Sequence, residues 1–292
     1  MCYRAVKPPE EGHMAYEGYE CLRVRVEGGV AFATIDHPPI NLLDLPLIQA
    51  LARFGAEVEA DPAVKVVVLD SADPEFFIAH ADVRLIQQLP TEVPPKADTL
   101  SFFHAMVDRF RTMPKATIAK IEGRARGGGS ELVLSFDMRF AALGRAVLAQ
   151  PEVAIGIIPG GSGTQRLPRL MGRARALEVI LGCEDVPADL AERWGYVNRA
   201  LPPEELGPFV ERLALRIASF PAEAIALAKA AVNAAELPTP AGLLEEAHLF
   251  NQAVATPAAR ERMAAFLELG GQRREVELAI GTTVGALGEG KP

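Results

Sequence analysis

The chain has 292 residues, 49% of them apolar and 23% charged, with a formal net charge of −8. That is enough apolar sequence for one large domain, or one domain with an appendage. The acidic balance lacks the basic footprint of a nucleic-acid binder, so an anionic ligand has to be held by local groups. Cys2, Cys21 and Cys183 are widely spaced. They form neither a metal-ligand spacing nor a disulfide framework, which points to a reducing, cytoplasmic setting. No apolar run is long enough to span a bilayer.

Residues 1–18 lack a hydrophobic signal core and carry Glu10, Glu11 and Glu17, against a transit peptide. They read as a flexible extension. Leu22 to Val26 alternates, Gly28 and Gly29 turn the chain, and Val30 to Ile35 returns as the second strand of a hairpin. Asn41 to Asp61 reads as a helix, with Asp44 as cap and Pro46 near the first turn. Val64 to Leu69 is a continuous apolar strand of the kind covered on both faces. Ala81 to Leu89 reads as a short helix, and the prolines of residues 90–98 as a loop. A helix over Thr99 to Thr112 precedes a strand over Thr117 to Ile121. Then come a turn at Glu122 and Gly123, a helix near Ser130 to Phe136, and strands near Met138 to Leu143 and Val147 to Ala149.

Beyond Gly163 the pattern is almost all helix, with weak strand character at Tyr196 to Leu201. Residues 204–219, 221–236, 240–255 and 257–269 read as four helices separated by prolines or turns, and the stretch from Gly270 as frayed. The expected organisation is an extension over 1–18, a mixed α/β core over 19–203, a helical region over 204–270 and a partly disordered tail over 271–292.

The stretch Ile121 to Met138 carries the most chemistry. Gly127, Gly128 and Gly129 let a backbone approach a ligand closely. The helix that begins there has unpaired N–H groups and a partial positive charge at its first turn. Glu131 lies beside it among Leu132, Val133, Leu134 and Phe136. Partial burial would raise the pKa of such a carboxyl and suit it to proton transfer. Glu152 follows Gln150 and Pro151; alone it reads more readily as a cap or ion-pair partner, but two such glutamates near a glycine-lined helix start suggest enolate chemistry. Asp73 to Asp82 follows the strand 64–69 and alone reads as a turn and a helix capped by Asp82. The functional alternative directs the Ala81 N–H at a ligand oxygen opposite Gly128. Gly160 to Leu167 matches neither a P-loop nor a dinucleotide fingerprint and reads as structural: a bend, a cap at Ser162 and an ion pair from Arg166. The five histidines form no metal set.

At these residues the chain closely resembles the crotonase superfamily of enoyl-CoA hydratases and isomerases. The matching segments are Pro38 to Leu43, Val66 to Leu69, Phe77 to Asp82, Gly127 to Leu132, Gln150 to Glu152, and Ile158 to Leu167, in order over roughly residues 20 to 270. The resemblance implies an α/β fold, a spiral of ββα units with a helical C-terminal trimerisation region. It implies a homotrimer or homohexamer acting on an acyl-CoA thioester, with no metal or redox cofactor; the acidic charge and the lack of a spanning apolar run argue against a nucleic-acid or membrane partner. Ala81 and Gly128 would supply the oxyanion hole through their N–H groups. Glu131 would position and activate water, and Glu152 would exchange a proton at the α-carbon. His80, Ala79, Asp82, Gly127 and His37 would complete the substrate-binding set. Hydration is favoured because both glutamates are present; a Δ3–Δ2 isomerase, an acyl-CoA hydrolase and a non-catalytic RNA- or partner-binding member are the alternatives.

The chain also departs from the family pattern. His80 stands where relatives usually have glycine, and would either turn to solvent or a neighbouring loop, or act as an added proton carrier or reshape the acyl pocket. His37 stands where relatives often have Arg or Lys near the CoA phosphates. Leu269 stands where many have a lysine that reaches CoA. Arg84, Lys115, Arg262, Arg273 and Arg274 are the cations that would compensate.

Overall fold

The computed structural model describes residues 16–235, 240–280 and 283. Most of the expected N-terminal extension (1–15) and the tail beyond Ile280, apart from Thr283, lie outside the described residues. Strands β1 (Leu22–Glu27) and β2 (Val30–Ile35) form the expected antiparallel hairpin. Gly28 and Gly29 turn it with φ of +57° and +78°, values that a side chain disfavours. Helix α1 (Leu45–Ala60) buries Leu47, Ile48, Leu51, Phe54 and Val58 along one face. Asp44 caps it by accepting the Leu47 N–H at 3.1 Å. The helix starts at Leu45 rather than Asn41. Asn41 is instead a left-handed turn residue, φ +49°, whose buried side chain donates to Ser71 Oγ and to the carbonyls of Phe76 and Phe77.

From there the chain repeats one unit. Strands β3 (Val66–Ser71) and β4 (Phe76–Ile78) are followed by α2 (Val83–Gln87) and α3 (Phe102–Thr112). Strands β5 (Ala116–Ile121) and β6 (Arg124–Arg126) are followed by α4 (Gly128–Leu134). Strands β7 (Met138–Ala142) and β8 (Val147–Ala149) lead to a 3-10 turn at Glu152–Ile155, then α5 (Gly163–Met171) and α6 (Arg173–Gly182). Short β9 (Val186–Pro187), α7 (Ala188–Trp194) and β10 (Arg199–Leu201) close the body.

In each unit the first strand joins a six-stranded sheet of order β1-β2-β3-β5-β7-β10. The second joins a four-stranded sheet of order β4-β6-β8-β9. This alternation winds the ββα units into the expected spiral. Val66, Val67, Val68 and Leu69 are all buried, as an apolar strand covered on both faces requires. Strands β4 and β6 escape sequence reading: three residues are too few to display a period, and unlike the equally short β8 neither is followed at once by a proline turn such as Gln150–Pro151.

The C-terminal helices α8 (Pro203–Ala218), α9 (Ala222–Ala235), α10 (Pro240–Ala255) and α11 (Pro257–Glu268) lie close to the expected bounds. Helix α8 buries Leu206, Val210, Ala214 and Ala218 against the large sheet. The chain beyond Gly270 does not fray at once. A short helix α12 (Arg274–Glu277) follows, and both Glu277 and Ile280 are buried. Its anchors are polar: Arg274 pairs with Asp73 and Glu75, and Arg124 donates to the Leu278 carbonyl at 3.2 Å. Contacts across such sequence distances leave no local pattern.

Candidate active site

The small sheet sets the site. Strands β4, β6 and β8 are parallel neighbours, and just past their C-terminal ends the chain reaches Ala81, Gly128 and Glu152 in turn. The Gly127 N–H extends the β6–β8 ladder to the Ala149 carbonyl at 2.9 Å. Ala81 forms a single parallel bridge with Leu43. The Leu43 N–H donates to the His80 carbonyl at 2.9 Å, and the Asp82 N–H donates to the Leu43 carbonyl at 3.0 Å. In parallel pairing of this kind the central residue's own N–H points away from its partner. The Ala81 N–H is therefore directed off the bridge.

Gly128 opens α4, where an N–H has no partner within the helix. A Cβ on Gly128 would stand 3.3 Å from Ala81 Cβ, 3.7 Å from the Ala81 nitrogen and 2.9 Å from Leu43 Cδ2. The two amide-bearing residues are thus packed together, with glycine required for the approach.

Glu131 sits one turn into α4 and is 3% exposed. Its Oε1 accepts the N–H groups of Gly161 at 2.7 Å and Gly163 at 2.8 Å. The glycine-rich 160–167 segment is therefore not only a bend: its backbone fixes the Glu131 carboxylate. Ser162 makes no side-chain cap; Arg166 does form the expected ion pair, with Asp108 at 3.3 Å. Behind Glu131, Ser130 Oγ lies 2.7 Å from the Tyr196 hydroxyl and accepts from Gln150 Nε2 at 3.2 Å. Burial pushes the Tyr196 hydroxyl far above its ordinary pKa, so this network stays neutral. Glu152 begins the 3-10 turn and is 8% exposed. A Cβ on Gly127 would meet its Oε1 at 2.8 Å.

Ala81, Asp82, Gly128, Glu131 and Glu152 all line one cavity of about 400 Å³. Its walls are mostly apolar, with Leu85, Ile86, Leu89, Phe103, Ile157 and Phe250 among them. Exposed Leu45 and Phe102 also border it. The backbones of Ala81 and Gly128 and the side chains of Glu131 and Glu152 thus face one apolar-walled chamber.

The other expected binding residues lie elsewhere. Ala79 is buried with Ile40 and Phe76, and Gly127 is backbone support with φ +50°. His37 turns to Asp44 Oδ2 at 2.8 Å and to Cys21 Sγ at 3.4 Å. None of the three lines the cavity. His80 turns neither to solvent nor into the main chamber. It is 5% exposed and borders an adjoining cavity of about 30 Å³ that shares Ala81, Ile86, Glu152 and Ile157 with the larger one. Its Nε2 lies 2.8 Å from Glu277 Oε1, its Nδ1 lies 2.8 Å from the Ala81 carbonyl, and Phe266 meets the ring edge-on.

Burial opposes charge on His80, but the Glu277 charge and hydrogen bond outweigh it, and the imidazole pKa is raised. Burial likewise works against an ionised Glu277. His80, the Gln272 N–H and Arg126 overcome it and hold this carboxyl below the ordinary range. Sequence reading missed Glu277 and Gln272, whose partners lie some 190 positions away. Two of the expected compensating cations are committed to structure. Lys115 is buried, donates to the Asp61 and Val64 carbonyls, and has its pKa lowered by burial; Arg274 holds Asp73 and Glu75.

Comparison with known proteins places the chain in a family. A family profile described as Enoyl-CoA hydratase/isomerase matches residues 25–273. The chain is 35% identical over 252 residues to a crotonyl-CoA hydratase of Syntrophomonas wolfei, spanning 86% of this chain and 96% of that one. It is 33% identical over 253 residues to a short-chain-enoyl-CoA hydratase of Clostridium acetobutylicum, spanning 86% and 94%. A crystal structure of a candidate enoyl-CoA hydratase from Streptomyces avermitilis superposes with a TM-score of 0.85 at 37% identity, covering 94% of this chain and all of that one.

Proposed function

The chain belongs to the enoyl-CoA hydratase/isomerase family, and from that premise we propose that it hydrates a 2-enoyl-CoA thioester. The observation that carries this reading is the meeting of Ala81, Gly128, Glu131 and Glu152 on one cavity. Water bound beside Glu131 gives up a proton to that carboxylate while its oxygen bonds to C3 of the enoyl group. The π electrons shift toward the thioester oxygen, where the N–H groups of Ala81 and Gly128 receive the developing negative charge. The enolate takes a proton at C2 from Glu152, which enters the step as the neutral acid, leaving a 3-hydroxyacyl thioester. Loss of the proton from Glu131 and reprotonation of Glu152 by solvent then restore both acids. Fixed amide donors need no reorganisation as charge develops, and each such donor typically contributes about 3 kcal/mol to barrier lowering.

The two amides from Gly161 and Gly163 support the role given to Glu131, because they hold its carboxylate in one orientation. The chain's own amides and carboxyls supply every group in the scheme, so it calls for no metal or redox cofactor. We further assign the protein to a homotrimer or homohexamer in the cytoplasm. The exposed Leu227 and Val232 of α9 support a subunit contact, and the unbridged thiols Cys21 and Cys183 suit a reducing medium.

The test is direct. Crotonyl-CoA mixed with the protein loses its enoyl absorbance if hydration occurs, and persistence of that absorbance overturns the assignment. Sedimentation or light scattering reads the subunit number.

A further inference from the structure

We propose that Glu277 is a positioning residue that holds both oxyanion amides in register, gripping the Ala81 loop through His80 and the approach to Gly128 through Arg126. This rests on the reading of Ala81 and Gly128 as the oxyanion pair.

The geometry is a two-armed clamp. On one arm Glu277 Oε1 takes His80 Nε2, and His80 Nδ1 takes the Ala81 carbonyl, each at 2.8 Å. A carbonyl and a carboxylate are both acceptors, so each ring nitrogen has to donate and the imidazole has to carry both protons. The raised imidazole pKa agrees with that state. The same loop is held on its far side by Gln272 Nε2, which donates to Asp82 Oδ1 at 2.6 Å. Together with the Leu43 bridge, these bonds fix the peptides on either side of Ala81.

On the other arm the Glu277 carbonyl accepts from Arg126 Nη1 at 2.7 Å. Arg126 is fully buried, makes a two-pronged pair with Asp185 at 2.7 and 2.6 Å, and stands two residues before Gly128. Glu277 Oε1 also accepts the Gln272 N–H at 2.6 Å, which aligns its carboxylate. One residue therefore contacts the supports of both donors, although it touches no reacting atom.

The charged groups around His80 come from several elements. Glu277 faces it from α12, Arg126 from β6 (with Asp185 as its counter-ion), Asp82 adjoins it in the loop, and Glu152 shares the small cavity from the 3-10 turn. Glu277 is the carboxylate within hydrogen-bonding distance, so its charge keeps the second proton on the ring. Without that charge the buried ring loses the Nδ1 proton as pH rises, and its lone pair then opposes the Ala81 carbonyl.

Glu277→Gln tests the clamp, because the amide keeps the size of the side chain and an acceptor for Nε2. In crotonyl-CoA hydration at about pH 8, kcat is expected to fall roughly ten-fold with KM changed less than about two-fold, the signature of lost transition-state alignment. The loss should shrink toward about pH 6 as His80 regains its proton, a limb the wild type lacks. A tail anchor alone would lower stability without adding that limb, so unchanged kcat, or a pH-independent loss, overturns the proposal.

Imidazole nitrogen NMR of the wild type gives a reading that does not depend on the variant folding. A doubly protonated His80 at about pH 7.5 is expected, and a neutral ring overturns the clamp. If the wild type does not hydrate crotonyl-CoA, the reaction assignment falls and the amide resonances decide the clamp. Displacement of the Ala81 signal in Glu277→Gln, and of the Gly128 signal in Arg126→Gln, which removes the bond to the Glu277 carbonyl, supports it; unmoved signals reject it.

Discussion

The Glu131 carboxylate rests on the Gly161 amide, with 2.7 Å between Oε1 and the nitrogen. A Cβ at Gly161 would fall 2.6 Å from Glu131 Oε2 and 2.2 Å from the Phe103 ring. The close approach that fixes the acid therefore exists only because residue 161 has no side chain. Gly161→Ala should displace the carboxylate and lower kcat about 100-fold, the usual cost of an ångström-scale misplacement. Steady-state hydration kinetics measure it, and a kcat within about three-fold of wild type would show that the contact does not position the acid.

Removing the proton-transfer capacity of either acid should cost more than misplacing one. Glu131→Gln and Glu152→Gln are isosteric, so acyl-CoA affinity by calorimetry should stay within a few-fold. Hydration should drop by roughly 10² to 10⁴ in each. Hydrogen exchange at C2 of a saturated acyl-CoA should respond to Glu152→Gln more than to Glu131→Gln. Full activity in both variants would falsify the two-acid mechanism.

Lys115 is assigned to the scaffold rather than to CoA. Its ammonium group satisfies the carbonyls of Asp61 and Val64, and stranding such buried acceptors costs about 1–3 kcal/mol. Lys115→Met should lower the unfolding midpoint in urea while leaving KM for the acyl-CoA unchanged. A raised KM with intact stability would return this lysine to the list of CoA contacts.

The His80–Glu277 pair links stability to pH in a definite direction. The raised pKa of His80 means its stabilisation is complete below about 6.5, the unfolded value, and is lost as pH climbs through the folded value. The lowered pKa of Glu277 means its share is complete above about 4.5 and is lost as pH falls through the folded value. Both contributions are complete together only between about pH 4.5 and 6.5. The difference in melting temperature between wild type and His80→Gln/Glu277→Gln should be widest there and should narrow on the alkaline side. A gap that does not vary with pH would mean that the pair is not ionised in the folded protein.

How much of this was legible beforehand depends on how local each signal is. The β1–β2 hairpin, the Asp44 cap of α1 and the four helices after Pro202 follow from glycine, proline and apolar spacing within a few residues. Glu131 and Gly128 stood out because the glycines and the carboxyl share one short stretch. Strands β4 and β6 did not, because their three residues are fixed by neighbours in the sheet rather than by their own propensity. The role of the 160–167 segment was read only in part. Arg166 signalled its ion pair, but backbone N–H groups leave no mark in a sequence, so the grip on Glu131 was invisible. His80 was recognised as unusual, yet its partner Glu277 lies far along the chain in what reads as a fraying end.

Strands β4, β6 and β8 are neighbours in one sheet, about 4.8 Å apart per strand, and the chain reaches Ala81, Gly128 and Glu152 just past their ends. The chemistry is thereby modular. On the proposed mechanism the first two outlets would stabilise an enolate whatever its origin, and the third would decide what happens to that enolate's carbon. Replacing the side chain at position 152 could redirect the outcome toward another thioester transformation while the carbonyl stays gripped at the same place.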